Sequence, residues 1–442
     1  MSSNIAVEVK KTLQDCIDEM DSCRFLFAKN PLKDFTRDRK LGFATLMAFI
    51  IGIKGGTLND ELENYFTDPN ELMTSSAFIQ QRGKLNDKAF PYLLSDFNKR
   101  SSSFDTRRYK GYRVIAVDGS DFNIAYDENE RSFVDNKNNE GYNQLHLNAI
   151  YDVLNNIFVN IDIQNKPEQD ERKACLNILS KTVFTEPTLL IADRGYEAYY
   201  LFETIHRIKN LDYLIRVKNE GSKITKSLPM EEFDKTISLE IRTGQTKEDK
   251  EAYRTGKAIW LRGISKFGKD KKTVTWMFES PCVMNLRVVR FKISPDTYET
   301  IITSLNPFEF PLKEIKKLYH KRWMIETGFR WLKYAVSGVN FHGKSEKFSI
   351  QEIYAHIIMY NFSMRIMMNI EIKQKATWKH YYQINFTKGF GYCFDYWRYR
   401  GSSPPNIEKK IRQRLLSVRE GKTDQRKIKP KSFVPYIYRV SA

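Results

Sequence analysis

The spacing of apolar and polar positions changes character at about residue 108. Before it, apolar residues recur at helical intervals. "RKLGFATLMAFIIGIK" reads as an apolar helix stopped by Gly55 and Gly56, "LNDELENYF" follows, and "SSAFIQQRGKL" sets a serine cap ahead of an amphipathic stretch. From Tyr112 the period shortens to two. "YRVIAVDG" is a β-branched run ending in Asp-Gly, and "QLHLNAIYDV" and "NIFVNIDIQ" alternate. "DERKACLNILSKTV" is helical and "TLLIADRG" is a buried strand closing in a turn, after which "LFETIHRI" and "LDYLIRVK" add one more helix and strand. Three strands at hairpin spacing, continued by strand-helix-strand crossovers, predict an α/β fold with a ribonuclease-H-like core whose chemistry sits at the strand ends.

Residues 219–299 interrupt this core. They are polar at first, then strand-like in "KAIWLRGIS", "KTVTWMF" and "NLRVVRFKI", which predicts a β-rich insertion. Helical spacing resumes at Leu312 and runs unbroken through Tyr334. "IQEIYAHIIMYNFSMRIMM" predicts another long helix, and its His, Asn and Arg exclude a membrane span. "EKKIRQRLLSVREGKTDQRKIKPKSF" predicts a helix followed by an extended basic arm.

Charge gives these segments different partners. The chain carries a net charge of +18 over 442 residues, yet residues 1–105 hold 14 basic against 15 acidic side chains, while residues 306–442 hold 27 against 10. An excess so concentrated suits a phosphate backbone, because each neutralised phosphate releases counterions; a solvated basic tail is the plainer alternative. The N-terminal helices remain open between a helix-turn-helix-like unit, with Gln80, Gln81 and Arg82 reaching base edges, and a small bundle with polar surface residues. Five scattered cysteines without a Cys-x-x-Cys pair, and only six histidines, argue against a disulfide framework or a zinc site. The longest apolar run, "FATLMAFIIGI", is too short for a bilayer and the N-terminus lacks a signal-peptide profile, so a cytosolic protein with no membrane partner is expected. The resulting division is a helical N-terminal DNA-binding region (1–108), a first core part (109–218), a β-rich insertion (219–299), a second core part (300–370), and a basic C-terminal region for DNA binding or dimerisation (371–442).

Three acids occupy positions that metal-assisted phosphoryl transfer would use. Asp118 ends the first strand in "VIAVDGSDF", Asp193 ends the fourth in "LLIADRGY", and Glu326 lies on the later helix. Hard carboxylate oxygens suit a pair of Mg²⁺ or Mn²⁺ ions spaced for in-line displacement at phosphorus. Singly, Asp118 and Asp193 also read as turn formers and Glu326 as an i,i+4 ion-pair partner of Arg322 or Arg330; packing alone does not account for the joint placement. In "YHKRWMIETGFRWLK", Tyr319, Arg322, Glu326, Arg330 and Lys333 fall at intervals of 3, 4, 4 and 3, one helical stripe beside the apolar stripe Leu318, Ile325, Phe329 and Leu332. Arg322, Tyr319 and Lys333 would then grip phosphates flanking a scissile bond.

The spacing Tyr-x2-Arg-x3-Glu-x6-Lys, met by Tyr319, Arg322, Glu326 and Lys333, resembles the signature of the insertion-sequence-four family of DDE transposases. "AVDGS" and "ADRGY" look like its two aspartate motifs, and "DFTRDRKLGFATLM" with "SSAFIQQRGKL" is similar to its N-terminal region. The interval of 133 positions from Asp193 to Glu326 matches the family's β-rich insertion. What this resemblance implies is a Mg²⁺- or Mn²⁺-dependent cut-and-paste transposase using two ions. It would nick the element's end, pass through a DNA hairpin, and join the released 3′-OH to target DNA. A flipped base would stack on an aromatic ring. Relatives place a tryptophan shortly before the "ITS" strand; this chain has Tyr298 there, with Trp276 and Trp260 as alternatives that also read as core. Lys409, Lys410, Arg412, Arg414, Arg426, Lys427, Lys429 and Lys431 would track DNA or pair protomers, giving a homodimer on terminal inverted repeats and a nucleoid-associated prokaryotic protein. A nuclease that cuts without joining, and an inactive DNA-binding descendant, are the alternatives.

Overall fold

The apolar stripes assemble two layers around one sheet, as seen in a computed structural model that describes residues 5–37, 39–135, 141–219, 222–226, 228–263, 276–295 and 297–418. The first layer begins with α1 (Ile5–Ser22), α2 (Phe43–Gly52), α3 (Leu58–Tyr65), α4 (Ser75–Arg82) and α5 (Ala89–Arg100). α1 buries Ala6, Val9, Leu13, Cys16, Ile17 and Met20, one face at 3.6-residue spacing. α3 starts where Thr57 and Asp60 cap each other's backbone amides.

The sheet follows in β1 (Arg113–Ile124), β2 (Phe133–Val134), β3 (Tyr142–Asp152) and β4 (Ile157–Asn165), then α6 (Glu171–Ser180), β5 (Thr188–Ala192), α7 (Tyr199–Arg207) and β6 (Leu211–Val217). β4, β3 and β1 pair antiparallel, and β1, β5 and β6 pair parallel. This is the expected ribonuclease-H-like order. Residues 219–299 contribute β7 (Phe233–Arg242), α8 (Lys247–Arg254), β8 (Ala258–Trp260) and β9 (Cys282–Ser294), and β10 (Thr297–Thr303) follows. These strands continue the same sheet, in the order β6, β10, β9, β7, β8, to ten strands in all with β2 on β3. β7 lies in a stretch whose polarity hid it from the sequence, and only Phe233 and Ile241 of it are buried. Most of "KTVTWMF" lies outside the described residues.

Helices α9 (Leu312–His320), α10 (Trp323–Tyr334) and α11 (Glu346–Met368) come next, then β11 (Tyr381–Ile384), α12 (Phe386–Arg398), α13 (Ile407–Arg412) and β12 (Leu415–Val418). The unbroken helix expected from Leu312 to Tyr334 is interrupted at Lys321 and Arg322. There the amides of Arg322, Met324 and Ile325 bond three residues back instead of four, tightening the chain by a turn. α11 is buried nearly all round, between α1, α2, α5 and α12 and the sheet. Its polar residues survive by pairing: Arg365 meets Asp105 at 2.9 Å, and Asn361 bonds Asn98 and the Phe158 backbone.

One continuous core joins α1 through α5 to α11, α12 and one face of the sheet; a second core lies between the other face, α6 and α7. The N-terminal helices are therefore built into the body of the protein. Arg82, expected to reach base edges, is corrected by its burial. It is 1% exposed, with Nη1 on Glu352 at 2.7 Å, Nε on Gln351 at 2.8 Å and Nη2 on the Phe348 carbonyl at 2.6 Å. Gln81 is likewise buried and donates to the Leu41 carbonyl.

Candidate active site

The parallel pairing of β1 with β5 ends at Ala116 and Ile191, and the two strands part. Asp118 and Asp193 each stand two residues beyond that last pair, side by side at the mouth of the fork. Asp118 does not end its strand, however. β1 remains paired to β3 as far as Ile124, so Asp-Gly is mid-strand and the turn reading fails. The Gly119 amide donates to Asp118 Oδ1 at 2.9 Å and the Gly195 amide to Asp193 Oδ1 at 2.7 Å. Both carboxylates are thereby aimed by their own backbone.

Glu326 reaches the fork from α10. Leu318, Ile325, Phe329 and Leu332 anchor the two helices in the core, and Gly328 admits the Tyr151 ring where a Cβ would strike it at 2.8 Å. Between the acids lies Arg322, 7% exposed: its Nη1 stands 3.4 Å from Asp118 Oδ2 and its Nη2 3.0 Å from Glu326 Oε1. Its Nε finds no partner among the described residues. Burial pushes the Asp118 carboxyl up to about 6; the Gly119 amide and Arg322 oppose that push, and the Asp193 and Glu326 carboxylates add to it. All three acids thus share one field.

Among the described residues, no three Asp, Glu, His or Cys side chains stand ready to hold a metal ion. Arg322 lies across two of the three candidate acids. The donor set still fits a hard divalent cation, being carboxylates that repel one another in a partly desolvated fork. The guanidinium supplies the positive charge that this arrangement calls for.

The other expected residues are dispersed. Tyr319 is buried, with Arg216 beside its hydroxyl. Lys333 donates to the Asp121 carbonyl at 2.6 Å and lies over the Phe122 ring. Arg330 is exposed on α10, and Arg412 and Arg414 are exposed near the C-terminal end of the described chain. Lys427 and Lys429, with Arg426 and Lys431, lie outside the described residues. Tyr298, half-buried, lines a cavity of about 390 Å³ with Arg194, Arg216 and Lys218. Trp276 is core, as one reading had it, but Trp260 is 41% exposed.

Sequence reasoning passed over a group on the far side of the fork. Asp121 faces His146 directly in the β1–β3 register, and their side chains meet at 2.6 Å. Lys166 holds both Asp121 oxygens at 2.8 Å. His146 Nε2 lies 3.3 Å from Glu171 in the first turn of α6. The alternation of "QLHLNAIYDV" put His146 on a sheet face, but no sequence signal paired it with Asp121.

Residues 109–362 match the family model described as the transposase DDE domain. Among solved structures the chain is similar to the cryo-EM structure of the piggyBac transposase synaptic complex with hairpin DNA, at 10% identity and a TM-score of 0.43, covering 95% of this chain and 87% of that one. No curated protein matches the chain.

Proposed function

The chain belongs to the DDE transposase family, and from that premise we propose that it moves an insertion sequence by cut-and-paste transposition, as a member of the insertion-sequence-four group. Asp118, Asp193 and Glu326 are its catalytic acids. Two Mg²⁺ or Mn²⁺ ions bound among them would activate the attacking oxygen and offset charge on the leaving one.

The observation that carries this reading is the position of Arg322, one guanidinium spanning Asp118 and Glu326 at the fork where Asp193 also stands. A phosphate offers that guanidinium a bidentate anion. Were Arg322 to turn to such a phosphate, Asp118 and Glu326 would be freed to hold cations, which would supply the charge stabilisation that phosphoryl transfer needs. Lys333 and exposed Arg330 continue along the same helix and contact the flanking backbone. Tyr319, one turn ahead of Arg322, lies in the field of that guanidinium. Tyr298, beside Arg194 in its cavity, receives the base extruded in the hairpin step.

The division into regions 1–108, 109–218, 219–299, 300–370 and 371–442 is kept as part of this proposal, with one change of emphasis. Recognition of the terminal inverted repeats falls to exposed residues of the first region and not to Arg82. The basic C-terminal region, with Arg412 and Arg414, tracks backbone and helps hold two protomers together on paired ends. No helix among the described residues is long and apolar enough to cross a membrane, and the protein works at the nucleoid.

Incubating the purified protein with Mg²⁺ and a duplex ending in the inverted repeats that flank its gene tests the proposal. Joined strand-transfer products are expected. Cleavage without joining would reassign the chain as a nuclease, and a mobility shift without cleavage would make it a binding descendant.

A further inference from the structure

Glu171 opens α6 on the opposite face of the sheet from Glu326, and the sequence reading gave it no role. Its Oε1 faces His146 Nε2 at 3.3 Å and accepts from Gln169 Nε2 at 3.1 Å. Its Oε2 accepts no hydrogen bond among the described residues. That oxygen lies 3.7 Å from the point where a Gly195 Cβ would project, and Asp193 Oδ1 lies 2.9 Å from the same point. Glu171 and Asp193 therefore both border the space beside Gly195. Oε1 lies 3.4 Å from the corresponding point on Gly119, the residue after Asp118. At Gly119 that space is filled by the His146 ring, which a Cβ would strike, so glycine there admits the imidazole.

A second observation points into the same space. Tyr196 is fully buried, and its hydroxyl has no hydrogen-bond partner among the described residues. Burial pushes that hydroxyl's pKa well above the ordinary phenol value, and Cys175 with the carboxylates of Glu171, Asp118 and Asp193 push it further. A buried hydroxyl without a partner among the described residues, in the field of three acids, marks a place that an ion or ordered water would complete.

The orientation of Glu171 is enforced from behind. His146 is 3% exposed and is held on its other nitrogen by Asp121 at 2.6 Å, which Lys166 in turn fixes through both oxygens. A carboxylate placed only to neutralise His146 would not need this support, since Asp121 already does so. The chain from Lys166 through Asp121 and His146 ends on one oxygen of Glu171 and leaves the other turned to the fork.

We propose that Glu171 is a fourth carboxylate ligand of the divalent-cation site, entering between β1 and β5 from the α6 side, with His146 and Asp121 as its positioning residues. This rests on the reading of Asp118 and Asp193 as cation ligands. Glu171 would join Asp193 in holding a divalent cation from the α6 side, and Glu326 would contribute from the other face.

Mn²⁺ binding, followed by the electron paramagnetic resonance signal of free Mn²⁺ with the inverted-repeat duplex present, tests the assignment independently of turnover. Wild type, Asp118→Asn, Glu171→Gln and His146→Gln are compared, each first checked for an unchanged melting transition. Glu171→Gln is isosteric at a half-exposed helix start and keeps the fold. It should weaken Mn²⁺ binding at least tenfold while duplex binding in Ca²⁺-free EDTA buffer stays at the wild-type level. His146→Gln should give an intermediate loss. Wild-type Mn²⁺ affinity in Glu171→Gln, alongside a loss in Asp118→Asn, would overturn the fourth ligand and leave the three-acid site standing. Equal affinity in Asp118→Asn and wild type would remove both.

Discussion

Among the buried arginines that meet carboxylates in this protein, Arg82 and Arg322 do so differently. At the seam between α4 and α11, Arg82 has all three nitrogens bonded, stacks on Phe348, and shares Glu352 with the amides of His342 and Gly343 at 2.7 and 2.8 Å. At the fork, Arg322 makes longer contacts of 3.4 and 3.0 Å to acids whose side chains are 25% and 39% exposed, and its Nε is unpartnered among the described residues. In the first, each nitrogen of the guanidinium is answered, although Gln351 Nε2 beside it has no partner among the described residues. The second is incomplete in a place open to solvent. Buried charge that is fully satisfied holds a fold together, whereas buried charge left short of partners marks where a ligand completes the set.

The largest effect expected from that contrast is chemical. Asp118→Asn removes a cation ligand and should lower strand cleavage on the order of 10³-fold or more, the loss of several kcal/mol of charge stabilisation. Gel-shift affinity for the same duplex should stay within about threefold, since phosphate contacts do not involve this acid. Cleavage at the wild-type rate in Asp118→Asn would place the chemistry elsewhere.

Stability should divide the two arginines in the opposite sense. Arg82→Ala strands Glu352, 1% exposed, without its cation, and a broken buried pair costs about 3–5 kcal/mol. Arg322→Ala frees acids that already meet solvent and should cost about 1 kcal/mol or less, yet it should reduce cleavage about 100-fold by removing the phosphate grip. Urea unfolding of both variants, with cleavage assayed in parallel, checks the pair. Equal destabilisation would erase the distinction between a structural and a functional guanidinium.

This distinction was only partly legible in the sequence. The order of β1, β3, β4, α6, β5, α7 and β6 followed from changes of period, because each buried face imposes its own spacing on the chain. Asp118, Asp193 and Glu326 stood out because strand ends and a helix signature located them. Arg82 did not betray its role. An arginine after an amphipathic stretch looks like surface, and only the tertiary arrival of Glu352 from 270 residues away makes it core. His146 and Glu171 were invisible for a related reason, since strand register and helix docking, not local pattern, bring them together. The break at Lys321 and Arg322 has no glycine or proline to announce it.

Acid should expose the Arg82 network next. Burial alone would raise the Glu352 carboxyl, but Arg82 and His342 hold it well below the usual carboxylate range. The folded protein then binds fewer protons at this site than the unfolded chain does. The stabilisation is fully present above the unfolded carboxyl value of about 4.3 and is lost as pH falls below it. Wild type should therefore lose stability between about pH 5 and 3 more steeply than Glu352→Gln, which has no proton to take up there. Parallel pH profiles in urea unfolding would show that the pair does not stabilise the fold through its charge.

The smallest effect belongs to Arg330, which shares α10 with Glu326 but is exposed and forms no ion pair among the described residues. With no carboxylate to leave stranded, Arg330→Ala should not change unfolding by more than about 0.5 kcal/mol. Its contribution lies in counterion release from one phosphate, so duplex affinity should fall severalfold at low salt and the slope of log affinity against log salt should drop by about 1. The effect should be the same for duplexes with and without the inverted repeat, because a phosphate carries no sequence. An unchanged slope would detach this face of α10 from the DNA path, leaving Arg322 as a grip on the scissile phosphate with no continuation along the helix.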